Sequence, residues 1–253
     1  MRATRLPAPP DDIEVTQAAL FLDFDGTLAD IVDDPGAACV EDGVVSTLRV
    51  LHRLCGGALA IVSGRDITDL DRRLSPLRTA AAGVHGLELR MPDGLVSRAR
   101  TDDVALADVR RAAEGMATRH NGIFLEVKNG SLSLHYRLRP DLAPLCLAFA
   151  HDIRQRFPSI HVIEGKMVVE FKASARTKGD ALAFFMARPP FAGRVPVFAG
   201  DDTTDEAGFA QVELWNGISV KIGSGDTQAR YRLRNPAALH AWLTRLAARA
   251  RCC

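Results

Sequence analysis

The run Ala19-Leu20-Phe21-Leu22-Asp23-Phe24-Asp25-Gly26-Thr27-Leu28 restricts what this chain can fold into more than any other stretch. It opens as an apolar strand and closes in two aspartates one residue apart, followed by a glycine turn. Side chains i and i+2 of a strand share a face, so Asp23 and Asp25 can face one pocket. That pocket would lie at the strand's C-terminal end, where open α/β sheets take their ligands. Two close carboxylates repel, and desolvation sharpens the repulsion, so they persist only with a cation or with one raised pKa. Mg²⁺, which prefers carboxylate and carbonyl oxygen, suits such a pair. A buried strand ending in a solvated Asp-Gly turn accounts for these residues equally well. The rest of the chain has to decide.

The chain has 253 residues, a formal net charge of +1, 47% hydrophobic and 25% charged residues, which is ordinary globular composition with ample material for a core. The arginines are interleaved with acids, so neither nucleic acid nor a membrane surface is expected as a partner. No apolar run approaches transmembrane length. Residues 1–17 read as a flexible tail, Pro-rich at the start and without a signal peptide's apolar core. Cys39, Cys55, Cys146, Cys252 and Cys253 are odd in number and lack zinc-site spacing. They read as reduced thiols of a cytoplasmic protein, and Cys252-Cys253 matches no prenylation pattern.

Strand-like and helix-like segments alternate, which predicts an α/β fold. After a loop at Asp33-Asp34-Pro35-Gly36, helical spacing of Val44, Leu48 and Leu51 predicts a helix over 41–54. A strand follows over 58–62, ending at Ser63-Gly64-Arg65. Asp66 is placed to cap a short helix through Leu74. A weaker strand covers 80–84 and runs into His85-Gly86-Leu87-Glu88. The texture then changes. A helix over 102–120, a hairpin of 123–128 with 132–138 across Asn129-Gly130, a helix over 141–157 and a hairpin of 160–163 with 167–171 make a compact antiparallel layer with helices on one face. The α/β texture returns with a helix over 177–187, strands at 195–198 and 218–222, and a closing helix over 236–250. The expected organisation is a three-layer, parallel-sheet, Rossmann-like core at 18–95 and 174–253, with an inserted α+β cap at 96–173.

Four strand ends carry polar residues in order: Asp23-Phe24-Asp25-Gly26-Thr27, Ser63, Lys178 at a helix start, and Gly200-Asp201-Asp202 with Asp205. Taken singly, each has an ordinary explanation: a cap, a solvated lysine, an acidic helix start. Together they resemble the haloacid dehalogenase superfamily of phosphohydrolases. The chemistry of a phosphate monoester fits them, because its negative charge must be neutralised and its groups held in line. Asp23 is the expected nucleophile, forming an aspartyl-phosphate. Asp25 is the expected general acid and base. Asp23, the Asp25 carbonyl and Asp201 are the expected Mg²⁺ ligands. Asp202 and Asp205 are expected to orient metal-bound water or Lys178. Lys178 supplies positive charge, while Ser63, Gly64, Arg65 and Thr27 form the expected phosphate-binding set.

The inserted segment carries pointed polar residues. Ser131, Ser133, His135 and Arg137 share a face by parity, as do Glu126 and Lys128. A face with charges of both signs suits a hydroxyl-rich sugar, although a solvated outer face is equally common. His85-Gly86-Leu87-Glu88, the run from Glu126 to Arg137, the run from Gly165 to Lys172, and Gly200 to Glu206 together are similar to trehalose-6-phosphate phosphatases. Ala173 stands where that family usually has proline, and residues 173–177 lack its glycine. The resemblance implies a cap that binds the distal glucose and hinges near 91–96 and 172–176. It implies Lys128, His135, Arg137, Lys166 and Glu170 as substrate contacts, with His85 and Glu88. The expected activity is Mg²⁺-dependent hydrolysis of trehalose 6-phosphate by a monomer, with association with a trehalose-phosphate synthase left open. A sucrose-phosphate type phosphatase, a phosphomutase and a non-catalytic sugar-phosphate sensor are the alternatives.

Overall fold

The computed structural model describes residues 6–32, 35–99, 102–128, 130–165 and 167–250. The expected loop aspartates Asp33 and Asp34, the turn residue Asn129 and the Cys252-Cys253 pair lie outside them. The chain divides into two compact units, Met1–Ser97 with Thr177–Cys253, and Arg98–Arg176.

The first unit is built on a sheet whose central strand is β1 (Ala18–Leu22), with β2 (Leu59–Val62), β3 (Ala80–Gly83), β4 (Glu88–Arg90) and β5 (Val96–Arg98) following on one side. In the second unit the strands are β6 (Phe124–Lys128), β7 (Ser131–His135), β8 (His161–Gly165) and β9 (Val168–Lys172). The first sheet is completed on its other side by β10 (Val195–Gly200), β11 (Ile218–Ile222) and β12 (Tyr231–Leu233). β12, β11, β10, β1, β2 and β3 run parallel in that order, and β4 joins β3 antiparallel. All five residues of β1 are buried, as a parallel strand covered on both faces requires.

The helices are α1 (Asp42–Leu54), α2 (Ile67–Arg73), α3 (Asp103–Arg119), α4 (Ala143–Arg156), α5 (Lys178–Met186), α6 (Glu206–Leu214) and α7 (Pro236–Arg249). Phe21 packs on Phe185 of α5, and Phe198 on Phe209 of α6, so aromatic contacts fix these helices to the sheet. α1 presents Val44, Val45, Leu48 and Leu51 to the core and packs with α7, whose Trp242 is fully buried.

The register positions the site. Leu22 pairs with Ile61 on one side and with Ala199 on the other. Asp23, Ser63 and Asp201 therefore leave the sheet at one edge.

Three short strands, β4, β5 and β12, and the helix α6 were not apparent in the sequence. Runs of three residues carry too little periodicity to register, and α6 is signalled only by the acidic run at its start. The expected tail is also corrected over its described part. Arg232 donates its main-chain N–H to Pro7, Trp242 Nε1 donates to Pro10 at 3.0 Å, and Val15 is buried. Contacts with residues more than two hundred positions away hold this segment, which local composition cannot reveal. No helix of the described residues is long and apolar enough to cross a membrane.

In the second unit the sheet order is β6-β7-β9-β8, antiparallel throughout. Leu132, Leu134, Val169 and Phe171 form a core with Val109, Ala113 and Met116 of α3 and Cys146, Ala150 and Ile153 of α4. Ala173 donates to the Gly130 carbonyl and Lys172 Nζ to that of Arg176, which ties residues 173–176 to this unit. Arg137 is a correction: β7 ends at His135, and Arg137 sits exposed in the following turn. Tyr136 is buried in the same core as Leu132 and Leu134, so the alternation holds to that point and the chain turns only after it.

Candidate active site

At the shared edge Asp23 is 4% exposed and Lys178 is 3% exposed. Lys178 Nζ lies 2.7 Å from Asp23 Oδ1 and 2.6 Å from Asp205 Oδ1. The lysine is delivered by the start of α5, where Thr177 and Asp180 form a capping box. Asp205 is fully buried, and its other oxygen accepts the main-chain N–H groups of Asp201 and Asp202 at 3.0 and 2.9 Å. It thus ties the acidic loop to the lysine. Asp202 is exposed and accepts from the N–H of Thr203, so it does not reach Lys178.

The carboxylates of Asp23, Asp201 and Asp205 offer oxygens within 4.8 Å of one another. Burial, against the pull of Lys178 and with the push of Asp205 and Asp201, holds the Asp23 carboxyl well above the usual range. Burial and the neighbouring Asp205 push Asp201 up to about 6. Burial works against charge on Lys178, but Asp205 and Asp23 hold it firmly protonated. Three acids beside Lys178, with Lys221 at the Asp201 main chain, form a hard-oxygen cluster still short of positive charge, and this donor set suits Mg²⁺. Gly26 has φ +77, and a Cβ there would stand 2.2 Å from Asp201 Oδ2, so the turn after Asp25 brings backbone against the acidic loop. Thr27 is buried and its hydroxyl donates to Asp201 Oδ1 at 3.3 Å.

Asp25 does not join the acidic cluster. Its carboxylate is gripped by Arg65, with Nε 2.7 Å from Oδ2 and Nη2 2.6 Å from Oδ1. Ser63 is buried, its Oγ accepting from the Arg65 N–H at 3.2 Å. Val84 and His85 adopt φ 48 and 52, a costly conformation for β-branched valine. Their N–H groups donate to the carbonyls of Arg65 and Ser63, each at 2.9 Å. The His85 ring then covers Gly64, where a Cβ would stand 2.6 Å from Nε2 and would push the ring aside. Glu88 is buried and accepts the Ile67 N–H at 3.1 Å, at the start of α2.

Two residues of this site were not singled out from the sequence. Lys221 is buried on β11 and its Nζ donates to the Asp201 carbonyl. Its signal was a lysine within an otherwise apolar strand. Asp69 lies beyond Arg65, four residues on; that spacing was its signal.

In the second unit the register places Glu126 opposite Ser133, and Ser133 opposite Glu170. His135 Nε2 lies 3.1 Å from Glu126 Oε2, and Ser131, Ser133, Glu170 and Lys172 are buried. Glu126 thus belongs to the same polar face as His135 and Glu170, though it was not among the expected contacts. Lys166 and the Lys128 side chain lie outside the described residues.

Residues 21–237 match the family model described as trehalose-phosphatase. The chain is 40% identical over 225 residues to the trehalose-6-phosphate phosphatase of Escherichia coli, covering 89% of this chain and 85% of the relative. It is 41% identical over 209 residues to a probable trehalose-phosphate phosphatase of Sinorhizobium fredii, covering 81% and 77%. Its fold matches the C-terminal domain of the Candida albicans trehalose-6-phosphate phosphatase with a TM-score of 0.85 at 22% identity, over 97% of this chain and 99% of that one. A haloacid dehalogenase-like hydrolase from Bacillus subtilis matches with a TM-score of 0.66 at 13% identity, over 89% and 98%. The chain belongs to the trehalose-phosphatase family of phosphoric monoester hydrolases, on a haloacid dehalogenase-like fold.

Proposed function

We propose that this chain hydrolyses trehalose 6-phosphate to trehalose and phosphate through an aspartyl-phosphate on Asp23. The observation that carries the reading is the Asp23 carboxylate held at the sheet edge by Lys178, beside Asp201. Asp23 and Asp201, with the main-chain carbonyl of Asp25, would hold Mg²⁺. Asp205 is committed to Lys178 and to two main-chain N–H groups. The ion when bound supplies positive charge against the phosphate dianion.

An oxygen of Asp23 attacks phosphorus as the bond from phosphorus to the sugar oxygen breaks. Asp25, once protonated and turned from Arg65 toward the leaving group, would give that oxygen its proton. The same carboxylate then takes a proton from the water that attacks the phosphorus of the aspartyl-phosphate, releasing phosphate and regenerating Asp23. Lys178 offsets the charge beside the reacting atoms, and the Ser63 hydroxyl with the N–H of Phe24 or Gly64 holds phosphoryl oxygens. The polar sheet face bearing Glu126, His135 and Glu170 suits hydroxyl recognition and supports a disaccharide substrate.

A phosphate-release assay with Mg²⁺ across trehalose 6-phosphate, sucrose 6-phosphate and glucose 6-phosphate tests the reading. Trehalose 6-phosphate should be turned over fastest by a wide margin. Equal rates, or an isomerised sugar phosphate without free phosphate, would overturn it.

A further inference from the structure

The helix-free face of the second unit's sheet carries an aromatic ring that its core does not claim. Leu125 of β6 and Leu132 and Leu134 of β7 pack into the core with α3 and α4. Phe124 and Glu126, and across the ladder His135 and Ser133, therefore face the other way. Phe124 is 60% exposed, and among the described residues it is the only exposed phenylalanine, tyrosine or tryptophan. Phe149, Phe157 and Phe171 of the same unit all belong to its core. The Phe124 ring lies 5.9 Å from the ring of His135, its direct partner in the register, at a tilt of 34°. His135 Nε2 lies in turn 3.1 Å from Glu126 Oε2. On the next rung Ser133 stands between Glu126 and Glu170, with Ser133 and Glu170 both buried. The face thus has a polar floor at Ser133 and Glu170, half-buried Glu126 and His135 beside it, and an open ring on the edge strand β6.

We propose that Phe124 is a specificity-determining residue, its exposed ring stacking on the sugar ring that carries no phosphate. The inference rests on the reading above that the substrate is a disaccharide phosphate, and it adds a contact that hydrogen-bonding groups do not supply. A pyranose has two kinds of surface, hydroxyls around its rim and C–H groups on its faces. Glu126, His135, Ser133 and Glu170 offer donors and acceptors to the rim. The C–H groups carry slight positive charge, which the negative face of an aromatic ring attracts. The His135 ring braces Phe124 on one side, so little side-chain freedom remains to be lost when a sugar seats on the other. An apolar ring beside a few convergent polar groups is the make-up of a small-molecule site.

Steady-state kinetics on trehalose 6-phosphate, sucrose 6-phosphate, glucose 6-phosphate and p-nitrophenyl phosphate separate this role from a packing one. Phe124→Ala should lower kcat/KM about tenfold on trehalose 6-phosphate, chiefly through KM, and by at most about twofold on the two esters that lack a second sugar ring. Leucine keeps the apolar bulk without the flat face, so Phe124→Leu should lose nearly as much as the alanine variant. Phe124→Tyr keeps the face and should stay within about twofold of wild type on every ester. Equal losses on all esters, no loss on trehalose 6-phosphate, or full activity in Phe124→Leu would overturn the proposal. So would a wild-type dimer that Phe124→Ala converts to monomer, by light scattering, with no selective loss on trehalose 6-phosphate, since the ring would then be a contact between copies. The preference of the wild type gauges the substrate reading separately. If sucrose 6-phosphate is preferred, the choice of trehalose fails, while the same selective loss on that ester upholds Phe124. A wild type with no preference for either disaccharide phosphate over glucose 6-phosphate overturns both.

Discussion

Asp23 and Lys178 share one hydrogen bond, yet they contribute to the fold with opposite sign. Asp23 is one of three carboxylates around one lysine, and burial already disfavours its charge. Replacing it by asparagine removes surplus negative charge at nearly constant shape. Lys178 is the cation that the remaining acids need, and its removal strands buried carboxylates. Asp23→Asn should leave the melting temperature unchanged or raised while turnover falls more than about 10³-fold. Lys178→Met should cost about 3–5 kcal/mol, lowering the melting temperature on the order of 10 °C. Thermal melts of the two variants beside wild type decide it, and equal destabilisation would show that the charge balance described for the cluster is wrong.

At the scale of single elements, α2 shows how a short helix gains stability from charge. Asp66 caps it, and Asp69 collects Arg65, Arg72 and Arg73. Burial works to raise the Asp69 carboxyl, but bonds from Arg73 and Arg65 outweigh it and hold the group at about 2, against an ordinary 3.8. A carboxyl depressed in the folded state stabilises fully above its unfolded pKa, and that contribution is lost as pH falls through the folded value. The window is therefore pH 4 to 2, and the stability at stake is on the order of 2 kcal/mol. Urea titrations at several pH values should show a shallower acid loss for Asp69→Asn than for wild type across that window. Parallel slopes would remove Asp69 as the source. Most elements of this kind were legible beforehand. Asp66 and the following apolar positions marked α2, and the spacing of Val44, Leu48 and Leu51 marked α1. Besides α6, the elements that escaped were the strands β4, β5 and β12, three residues each, which exist because a neighbouring strand offers its hydrogen bonds and not because of their own pattern.

At the largest scale the described residues build two cores and not one. Val109, Cys146, Ile153 and Phe171 belong to the unit Arg98–Arg176, and Phe21, Phe198 and Trp242 to the other. A segment with its own buried core can fold alone. Residues 98–176, produced as an isolated fragment, should give a mixed helix and strand circular dichroism spectrum and a cooperative melt. A random-coil spectrum would show that this core depends on the rest of the chain. The order of elements, the reaction class and the family were written in local patterns: apolar runs, helical spacing, and polar residues at three strand ends and one helix start. Those signals survive in one dimension because each depends on residues a few positions apart. Three-dimensional packing settled the rest. It turned the Asp25 carboxylate to Arg65 and away from the acidic cluster, brought Asp205 beneath Lys178, and laid residues 7–15 against α7 and β12. Each of these depends on which groups meet across the fold, where one lysine among three clustered acids, or one arginine between two, decides which way a side chain points.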